Sequence, residues 1–365
     1  MSTQSRLQRL QHALAPHRFD ALLVSHPPNI RYLCGFSGSS GVLAVTEDKA
    51  VLFTDGRYTA QARQEVSNNA GIVITHNAPL IAVAAWVSGT SAGLGRGPVR
   101  IGIEGEHLSV ASERRLKDVL PGRFRLRPRP PLIEQARMIK DAQEIARIRA
   151  AAELGAGLFR AALAAIRPGV CETEVAAAME FEARRAGAEA MSFETIIAAG
   201  ARSALPHGRA SHSPIPADGF VVCDFGVILS SYCSDRTRTV YVGSPGKKAR
   251  QAYAAVLAAQ EAAVAAVRPG VKAGEVDRAA RTILKKSGLS RYFTHSTGHG
   301  VGLEVHEAPR IAKAQEEVLQ PGMVITIEPG IYIPERWGLR IEDMVVVTRQ
   351  GCEVLAPSDK QLIII

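Results

Sequence analysis

The sequence contains no long apolar run. No stretch approaches the ~18 consecutive apolar residues that a membrane-spanning helix requires. The first twenty residues are polar, with Leu7, Leu10 and Leu14 at helical spacing, so they lack the apolar core of a secretory signal peptide. We therefore expect a soluble protein without a membrane partner.

Cysteine is scarce, with five residues in a chain of 365. Their number is odd and no two of them form a Cys-x-x-Cys pair. This pattern favours a reduced, cytoplasmic setting. The cysteines are Cys34, Cys171, Cys223, Cys233 and Cys352.

Signatures of nucleotide and nucleic-acid binding are also missing. No Gly-x-Gly-x-x-Gly follows a predicted strand in residues 1–130. The formal net charge is +9, but no zinc-finger spacing, RNP-like aromatic motif or basic zipper accompanies it. Its densest run, Arg123–Arg129, alternates arginine with other residues, which predicts a solvated edge strand or linker rather than a binding patch. We expect no nucleic-acid partner.

The length predicts two domains. Residues 1–130 alternate short apolar runs with helical patterns, as is typical of an α/β domain, and a polar turn at Thr46–Lys49 indicates a hairpin. Pro121-Gly122 and Pro128–Pro131 then interrupt the chain, so we place the second domain at residues 131–365. Predicted strands cover residues 20–25, 41–45, 50–54, 71–75 and 100–104, and predicted helices cover 2–15, 56–66, 79–88 and 109–120, the last capped by Ser109 or Ser112.

The second domain contains an internal repeat. One helical pattern covers Ile133–Ile166, with glycines that would allow a break at Gly155 and Gly157. Leu-Ala-Ala-Ile-Arg-Pro-Gly-Val at 163–170 is then echoed by Val-Ala-Ala-Val-Arg-Pro-Gly-Val at 264–271, an offset of 101 residues because 268 − 167 = 101. A helix, a turn and a second helix therefore occur twice, which indicates a duplicated half-domain.

Each half continues into a hairpin pattern that carries two carboxylates. Residues 220–242 carry Asp224 and Asp235, and residues 323–347 carry Glu328 and Glu342. Two halves related by a pseudo-twofold axis would bring the four carboxylates together. Arg340 and Glu342 lie on one strand face, so Arg340 is expected to brace a carboxylate with a forked hydrogen bond, whereas Cys223 and Asp343 point away.

A histidine-rich stretch, Thr294–Glu307, stands beside these hairpins and contains His295, His299 and His306. Taken singly, each polar residue has an ordinary explanation: Asp224 as a strand-end hydrogen bonder, Glu328 as a turn carboxylate. Together they favour a metal pair bound by the four carboxylates and His299. Such ligands suit Mn²⁺ in particular, with Co²⁺, Fe²⁺ and Zn²⁺ as alternatives. Two ions roughly 3.5 Å apart would acidify a shared water, which indicates hydrolysis of an acyl or phosphoryl bond.

Six segments of the second domain are similar to a known family. They are Phe193–Gly208, Asp224–Gly226, Cys233–Thr239, Gly298–Glu307, Thr326–Tyr332 and Leu339–Asp343. With Asn29–Ser39 and Leu52–Tyr58 they closely resemble the M24 metallopeptidases of pita-bread fold, in the branch of Xaa-Pro aminopeptidase (aminopeptidase P) and Xaa-Pro dipeptidase (prolidase). The resemblance implies an α/β (α+β) fold, with a creatinase-like N-terminal α/β domain before a pita-bread catalytic domain.

The resemblance also implies roles for single residues. The metal ligands would be Asp224, Asp235, His299, Glu328 and Glu342, with Glu328 doubling as the proton acceptor for the nucleophilic water. His207 and His306 would contact the substrate and stabilise the tetrahedral intermediate, and His295 and Arg340 would line the proline-side pocket. One departure is Ser230, at a hairpin tip where glycine is more usual.

Several functions stay open at this point. The N-terminal motifs favour an Xaa-Pro aminopeptidase acting on proline-containing peptides, with an Xaa-Pro dipeptidase as the alternative. A methionine aminopeptidase would lack the N-terminal domain, and a creatinase-like amidinohydrolase would lack the ligands. A non-enzymatic pita-bread protein that binds histones, nucleic acid or peptides is the remote alternative. The resemblance also implies a homodimer.

Overall fold

A computed structural model describes residues 3–90 and 97–365 and divides the chain into two units, of which the first ends at Arg137 and the second begins at Met138. The division lies beyond the predicted boundary after residue 130. The reason is local, because Glu134 accepts hydrogen bonds from Arg129 and Asn29 of the first unit. Within the described residues, no helix has the length and apolar character needed to cross a membrane.

The first unit is built on a six-stranded sheet. Its strands are β1 (Ala21–Val24), β2 (Val42–Val45), β3 (Ala50–Asp55), β4 (Gly71–Thr75), β5 (Val99–Ile103) and β6 (Phe124–Pro128). Their order in the sheet is β4-β3-β2-β1-β5-β6. The antiparallel β2–β3 pair confirms the predicted hairpin. The arginine-rich run is confirmed as an edge strand, since β6 ends the sheet.

The helices of this region are α1 (Thr3–Leu14), α2 (Pro27–Cys34), α3 (Thr59–Glu65), α4 (Pro79–Thr90), α5 (Val110–Val119) and α6 (Leu132–Met138). Ser2, the first residue of the predicted helix 2–15, lies outside the described residues. Ser109 caps α5 by accepting a hydrogen bond from the Ser112 amide. The helix α2 was not predicted from the sequence. Its two prolines occupy the first turn, where a fixed φ suits a helix.

The second unit repeats a helix pair. Its helices are α7 (Ala142–Ala165), α8 (Glu172–Arg185), α9 (Lys247–Ala266) and α10 (Ala273–Lys286). Gly169 and Gly270, at equivalent places in the two connecting turns, have φ values of 87° and 86°. A left-handed backbone of this kind favours glycine. The predicted repeat of helix, turn and helix is therefore confirmed.

The break that Gly155 and Gly157 would allow does not occur, since α7 covers Ala142–Ala165. The helical pattern is interrupted earlier, where Asp141 and Glu144 form a capping box that starts α7. The helix then runs on through both glycines. A Cβ at Gly155 would lie 3.1 Å from Ser234 Oγ, so this glycine permits close packing.

The strands of the second unit fall into four small sheets. Both predicted hairpins are confirmed: residues 219–225 pair with 236–242, and residues 324–327 pair with 343–346, each antiparallel. A shorter hairpin lies between the strands of each pair. The strands are β7 (Ala190–Met191), β8 (Ile196–Ala199), β9 (Gly219–Phe225), β10 (Val227–Leu229), β11 (Tyr232–Cys233), β12 (Arg236–Val242), β13 (Gly298–Gly300), β14 (Glu307–Ile311), β15 (Val324–Ile327), β16 (Gly330–Ile333), β17 (Trp337–Arg340), β18 (Asp343–Val347) and β19 (Cys352–Val354).

The hairpin tip that joins β10 to β11 carries a testable strain. Ser230 and Ser231 have φ values of 48° and 67°, the two positive values of a type I′ turn, which favours glycine. Ser230 is exposed. Ser230→Gly is therefore expected to raise the free energy of unfolding by about 0.5–1 kcal/mol, measured by urea denaturation. Ser230→Ala is the control, because it removes the hydroxyl and keeps the strain; an equal gain in both variants would contradict this explanation.

Candidate metal centre

All nine side chains selected from the sequence line one cavity of about 670 Å³ in the second unit. They come from separate places in the chain. They are His207, Asp224, Asp235, His295, His299, His306, Glu328, Arg340 and Glu342.

The two strand pairs bring the four carboxylates to one side of the cavity. Asp224 lies near the end of β9 and Asp235 directly before β12, while Glu328 follows β15 and Glu342 precedes β18. Thr237 joins the two pairs: its carbonyl accepts a hydrogen bond from the Glu342 amide (3.1 Å), and its hydroxyl donates to Glu342 Oε2 (2.7 Å). Short contacts between the duplicated halves therefore assemble the carboxylates.

His299 reaches the carboxylates because glycines flank it. A Cβ at Gly298 would lie 1.9 Å from the Thr326 carbonyl oxygen, and one at Gly300 would lie 2.1 Å from that of Ala308. His299 Nδ1 lies 3.0 Å from the Gly300 carbonyl oxygen, which assigns the proton to Nδ1. Nε2 is then left to ligate a metal.

Nε2 of His299 faces the carboxylates. It lies 3.5 Å from Asp235 Oδ2 and 3.4 Å from Glu328 Oε1. Asp235, His299 and Glu342 each offer a ligand atom, and these three atoms lie within 4.8 Å of one another. Burial lowers the pKa of His299, so the ring is neutral, as a metal ligand must be.

Bound cations would stabilise the buried carboxylates. Burial, reinforced by neighbouring carboxylates, raises the pKa of Asp235 and of Glu342 well above their usual range, and burial raises that of Glu328 to about 7. Among the described residues, neither Asp224 Oδ1 nor Glu342 Oε1 has a hydrogen-bond partner, although both atoms are buried. Buried acceptors without partners are costly unless a cation meets them. The donor set therefore fits divalent metal ions.

Arg340 does not form a forked hydrogen bond with a carboxylate. Its Nη2 donates to Asp224 Oδ2 (2.5 Å) and its Nε to Thr237 Oγ1 (3.0 Å), while Nη1 donates to the Pro206 carbonyl (3.2 Å) and to Tyr332 Oη (2.5 Å). One nitrogen alone meets the carboxylate, so the prediction of a fork is wrong. Strand alternation sets the face of a side chain but not its partner. Arg340 therefore fixes the orientation of Asp224 and joins it to the Tyr332 hydroxyl.

The other histidines differ in their freedom. His295 Nε2 lies 3.0 Å from Tyr332 Oη, and burial together with Arg340 lowers the pKa of His295 to about 3. His295 Nδ1 meets a backbone carbonyl, so the ring offers a surface rather than a free donor. The ring of His306 lies 4.4 Å from that of His299, and His207 is exposed at the cavity wall. His207 and His306 are therefore the histidines that can turn toward a ligand.

Two supporting residues were missed in the sequence. Thr237, two positions after Asp235, shares its strand face, so its hydroxyl could have been suspected. Tyr332, on β16 of the same hairpin as Arg340, bridges Arg340 and His295, and no sequence spacing indicated its contact with His295. Cys223 and Asp343 do point away as predicted: Cys223 is buried in an apolar cluster, and Asp343 binds Arg238 at 2.7 Å.

Metal stabilisation is expected to depend on pH. Carboxyls with raised folded-state pKa values hold more protons than the unfolded chain above about pH 4, so the stability of the metal-free protein falls as the pH rises through this window. The window reaches about 7 for Glu328. Divalent ions replace these protons. Mn²⁺ should therefore raise the melting temperature more at pH 8 than at pH 5, as measured by calorimetry with and without metal; equal shifts would contradict this linkage.

Two family models together match most of the chain. Residues 146–349 match the model of metallopeptidase family M24, and residues 6–139 match the creatinase/prolidase N-terminal domain. The Xaa-Pro dipeptidase of Pyrococcus furiosus is 38% identical over 99% of this chain and 100% of that protein.

Solved structures agree. An Xaa-Pro dipeptidase from Bacillus anthracis has a TM-score of 0.93 and 38% identity, with full coverage of both chains. An X-Pro aminopeptidase from Thermotoga maritima has a TM-score of 0.87 and 34% identity, covering 98% of this chain and 99% of that one. The predicted fold and the enzymatic interpretation are thereby confirmed. The chain is a hydrolase that belongs to metallopeptidase family M24, with a creatinase/prolidase-type N-terminal domain and a pita-bread catalytic domain that takes divalent metal ions.

Proposed function

We propose that this metallopeptidase hydrolyses the bond between a residue and the proline that follows it, with Mn²⁺ as its metal. The observation that carries the proposal is the convergence of five candidate ligands, three histidines and Arg340 on one cavity. The likeness to Xaa-Pro dipeptidases and to an X-Pro aminopeptidase supports it. Carboxylate oxygens with a single imidazole favour Mn²⁺.

The metal ions would be held by Asp224, Asp235, His299, Glu328 and Glu342. When bound, they would supply Lewis acidity and lower the pKa of a water molecule. The remaining chemistry belongs to the chain. The Glu328 carboxyl, whose pKa without metal is about 7, can accept a proton from the attacking water and return it to the proline nitrogen.

The three histidines that are not assigned to the metal would contact the substrate. His207 and His306 can donate to the oxygen of the attacked carbonyl, where negative charge develops. The ring of His295, held by Tyr332, offers a wall for the pyrrolidine ring. An Xaa-Pro bond has no N–H, so the cavity need not supply an acceptor for one.

Within this function we favour a dipeptide substrate, because Arg310 supplies a cation that suits a free carboxylate. Arg310 lies on β14, lines the cavity and is exposed. In the described part of the chain no acidic side chain pairs with it, whereas Arg209 at the same cavity is paired with Glu194 at 2.9 Å. A guanidinium group binds a carboxylate through two parallel hydrogen bonds.

The second candidate is an Xaa-Pro aminopeptidase, which the N-terminal motifs favour. Hydrolysis of Ala-Pro and Ala-Pro-Ala with Mn²⁺ separates the two, and we expect the larger kcat/KM for the dipeptide. A preference for the tripeptide would identify an aminopeptidase. A protein that binds metal and cleaves neither would contradict Xaa-Pro specificity. The expected homodimer stays a prediction, which sedimentation velocity can check.

Arg310→Met tests the basis of this choice. Loss of a charge-assisted pair of about 1.5–3 kcal/mol should raise the KM for Ala-Pro at least ~10-fold. The KM for Ala-Pro-Ala should change little. Arg209→Met is the matched control, since it removes another cation from the same cavity; an equal effect of both variants would point to general charge rather than to recognition by Arg310.

A further inference from the structure

The segment that carries His295 is fastened to the helix α10 by two side chains. Asp277 and Arg281 form an i, i+4 pair on this helix, with Arg281 Nε 2.7 Å from Asp277 Oδ2. Arg281 also donates to two backbone carbonyls, Nη1 to that of Phe293 (3.1 Å) and Nη2 to that of His295 (2.6 Å). Its guanidinium carbon lies 4.2 Å from the centre of the Phe293 ring. The Arg281 side chain therefore binds both ends of the segment Phe293–His295.

The Asp277 carboxylate continues these contacts toward the metal centre. The second oxygen of Asp277 accepts a hydrogen bond from the Thr297 hydroxyl (2.8 Å), and both residues are buried. The Thr297 carbonyl in turn accepts the amide of Glu328 (2.8 Å). Hydrogen bonds therefore hold this segment at two places. Arg281 binds the His295 carbonyl, and Asp277 binds the Thr297 hydroxyl.

The geometry points to a positioning role for this pair. We propose that Asp277 and Arg281 set the place of the His295 ring in the substrate cavity, and so determine how tightly the proline side of the substrate is bound. The inference rests on the proposed function, because it takes His295 as the wall of the proline site. Neither residue of the pair touches the reacting atoms.

Arg281 is not required to pack the helix, which makes the proposal testable. Asp277 is buried, so the tests use variants of Arg281. The buried apolar side chains of α10 are Val276, Ala280 and Leu284 together with Ala273. The Arg281 side chain is 30% exposed, so its loss leaves no large internal cavity. Arg278 of the same helix is the matched control, because its side chain is 70% exposed and pairs with Glu275.

The experiment compares the full-length protein with Arg281→Met, Arg281→Lys and Arg278→Met. In the metal-free proteins, amide hydrogen exchange is followed in the peptides that cover residues 293–298. In the Mn²⁺-loaded proteins, metal content, KM and kcat for Ala-Pro are measured. A misplaced binding group of this kind lowers kcat/KM on the order of tenfold or more.

We expect Arg281→Met to accelerate exchange in residues 293–298 and to raise KM about tenfold, with metal content unchanged and kcat changed little. Arg281→Lys keeps the pairing with Asp277 but cannot fork onto two carbonyls, so its effects should be intermediate. Arg278→Met should behave like the wild type. A KM increase shared by both methionine variants, or no change in exchange or in KM with Arg281→Met, would overturn the proposal.

The result is separable from a failure of the proposed function. If the wild-type protein does not cleave Ala-Pro, the proposed function is wrong, and the exchange data still decide whether the pair holds the segment. If Arg281→Met does not fold, Arg281→Lys decides the same question. Wild-type exchange and KM in the lysine variant would then contradict the role of the two carbonyl contacts.

Discussion

Replacing Asp235 with asparagine is expected to abolish metal binding and to lower kcat/KM by about 10³-fold or more, since residues that only support a ligand already contribute ~10–100-fold. Asp235 lies directly before β12, 3.5 Å from His299 Nε2. Asp235, His299 and Glu342 offer ligand atoms within 4.8 Å of one another. The amide keeps the shape of the side chain and removes its negative charge. The metal pair would thereby lose a central ligand.

The same variant has a second expected signature. Burial and the neighbouring carboxylates raise the pKa of Asp235 in the folded protein. This group therefore destabilises the metal-free fold as the pH rises above the pKa that it has in the unfolded chain. Metal-free Asp235→Asn should therefore be more stable than the metal-free wild type at pH 8, yet gain no stability from Mn²⁺. Calorimetry and metal analysis measure both effects.

The control for this variant is Glu261→Gln, which removes an exposed carboxylate from α9. It should leave metal content, turnover and the response to Mn²⁺ unchanged. Retention of the wild-type metal content by Asp235→Asn would contradict the assignment of Asp235 as a ligand. Lower stability of the metal-free variant at pH 8 would contradict the electrostatic account.

Replacing His306 with alanine should give the opposite division: metal is retained and most turnover is lost. His306 is exposed to the cavity, with its ring centre 4.4 Å from that of His299. Its role is to donate to the developing oxyanion, and removal of one such donor costs about 10²–10³-fold in kcat. The metal ligands keep their own contacts, so the melting temperature of the Mn²⁺-loaded protein should change little.

Steady-state kinetics on Ala-Pro and metal analysis check this prediction. His76→Ala, which removes an exposed histidine from the first unit, is the control and should match the wild type. Unchanged turnover in His306→Ala would remove His306 from the mechanism. Loss of metal together with activity would instead place His306 among the ligands.

The His306 variant also tests one of the different roles that the resemblance implies for the histidines of one short stretch. Three histidines lie between Thr294 and Glu307, but the structure gives each a different environment. His299 faces the carboxylates, His295 is held by the Tyr332 hydroxyl, and His306 is open to the cavity. Their spacing could not distinguish these environments, because the stretch is largely irregular and has no fixed period.

The sequence by itself predicted the parts of the fold that depend on local or repeated patterns. The duplication is visible as an echo at a constant offset, and the structure repeats it even in the left-handed glycines Gly169 and Gly270. The strand pairs that carry the carboxylates follow from alternation and turn residues. The start of α7 was missed, although the capping box of Asp141 and Glu144 is a local signal.

Only the tertiary structure decided which side chains meet. Arg340 binds Asp224 of the other duplicated half, and Thr237 binds Glu342 in the reverse direction. Asp277 and Arg281 are a visible i, i+4 pair, yet their contacts with Thr297 and His295 depend on how α10 packs against that segment. Periodicity fixes the face on which a side chain lies, but partners far apart in the chain are set by the packing of whole elements.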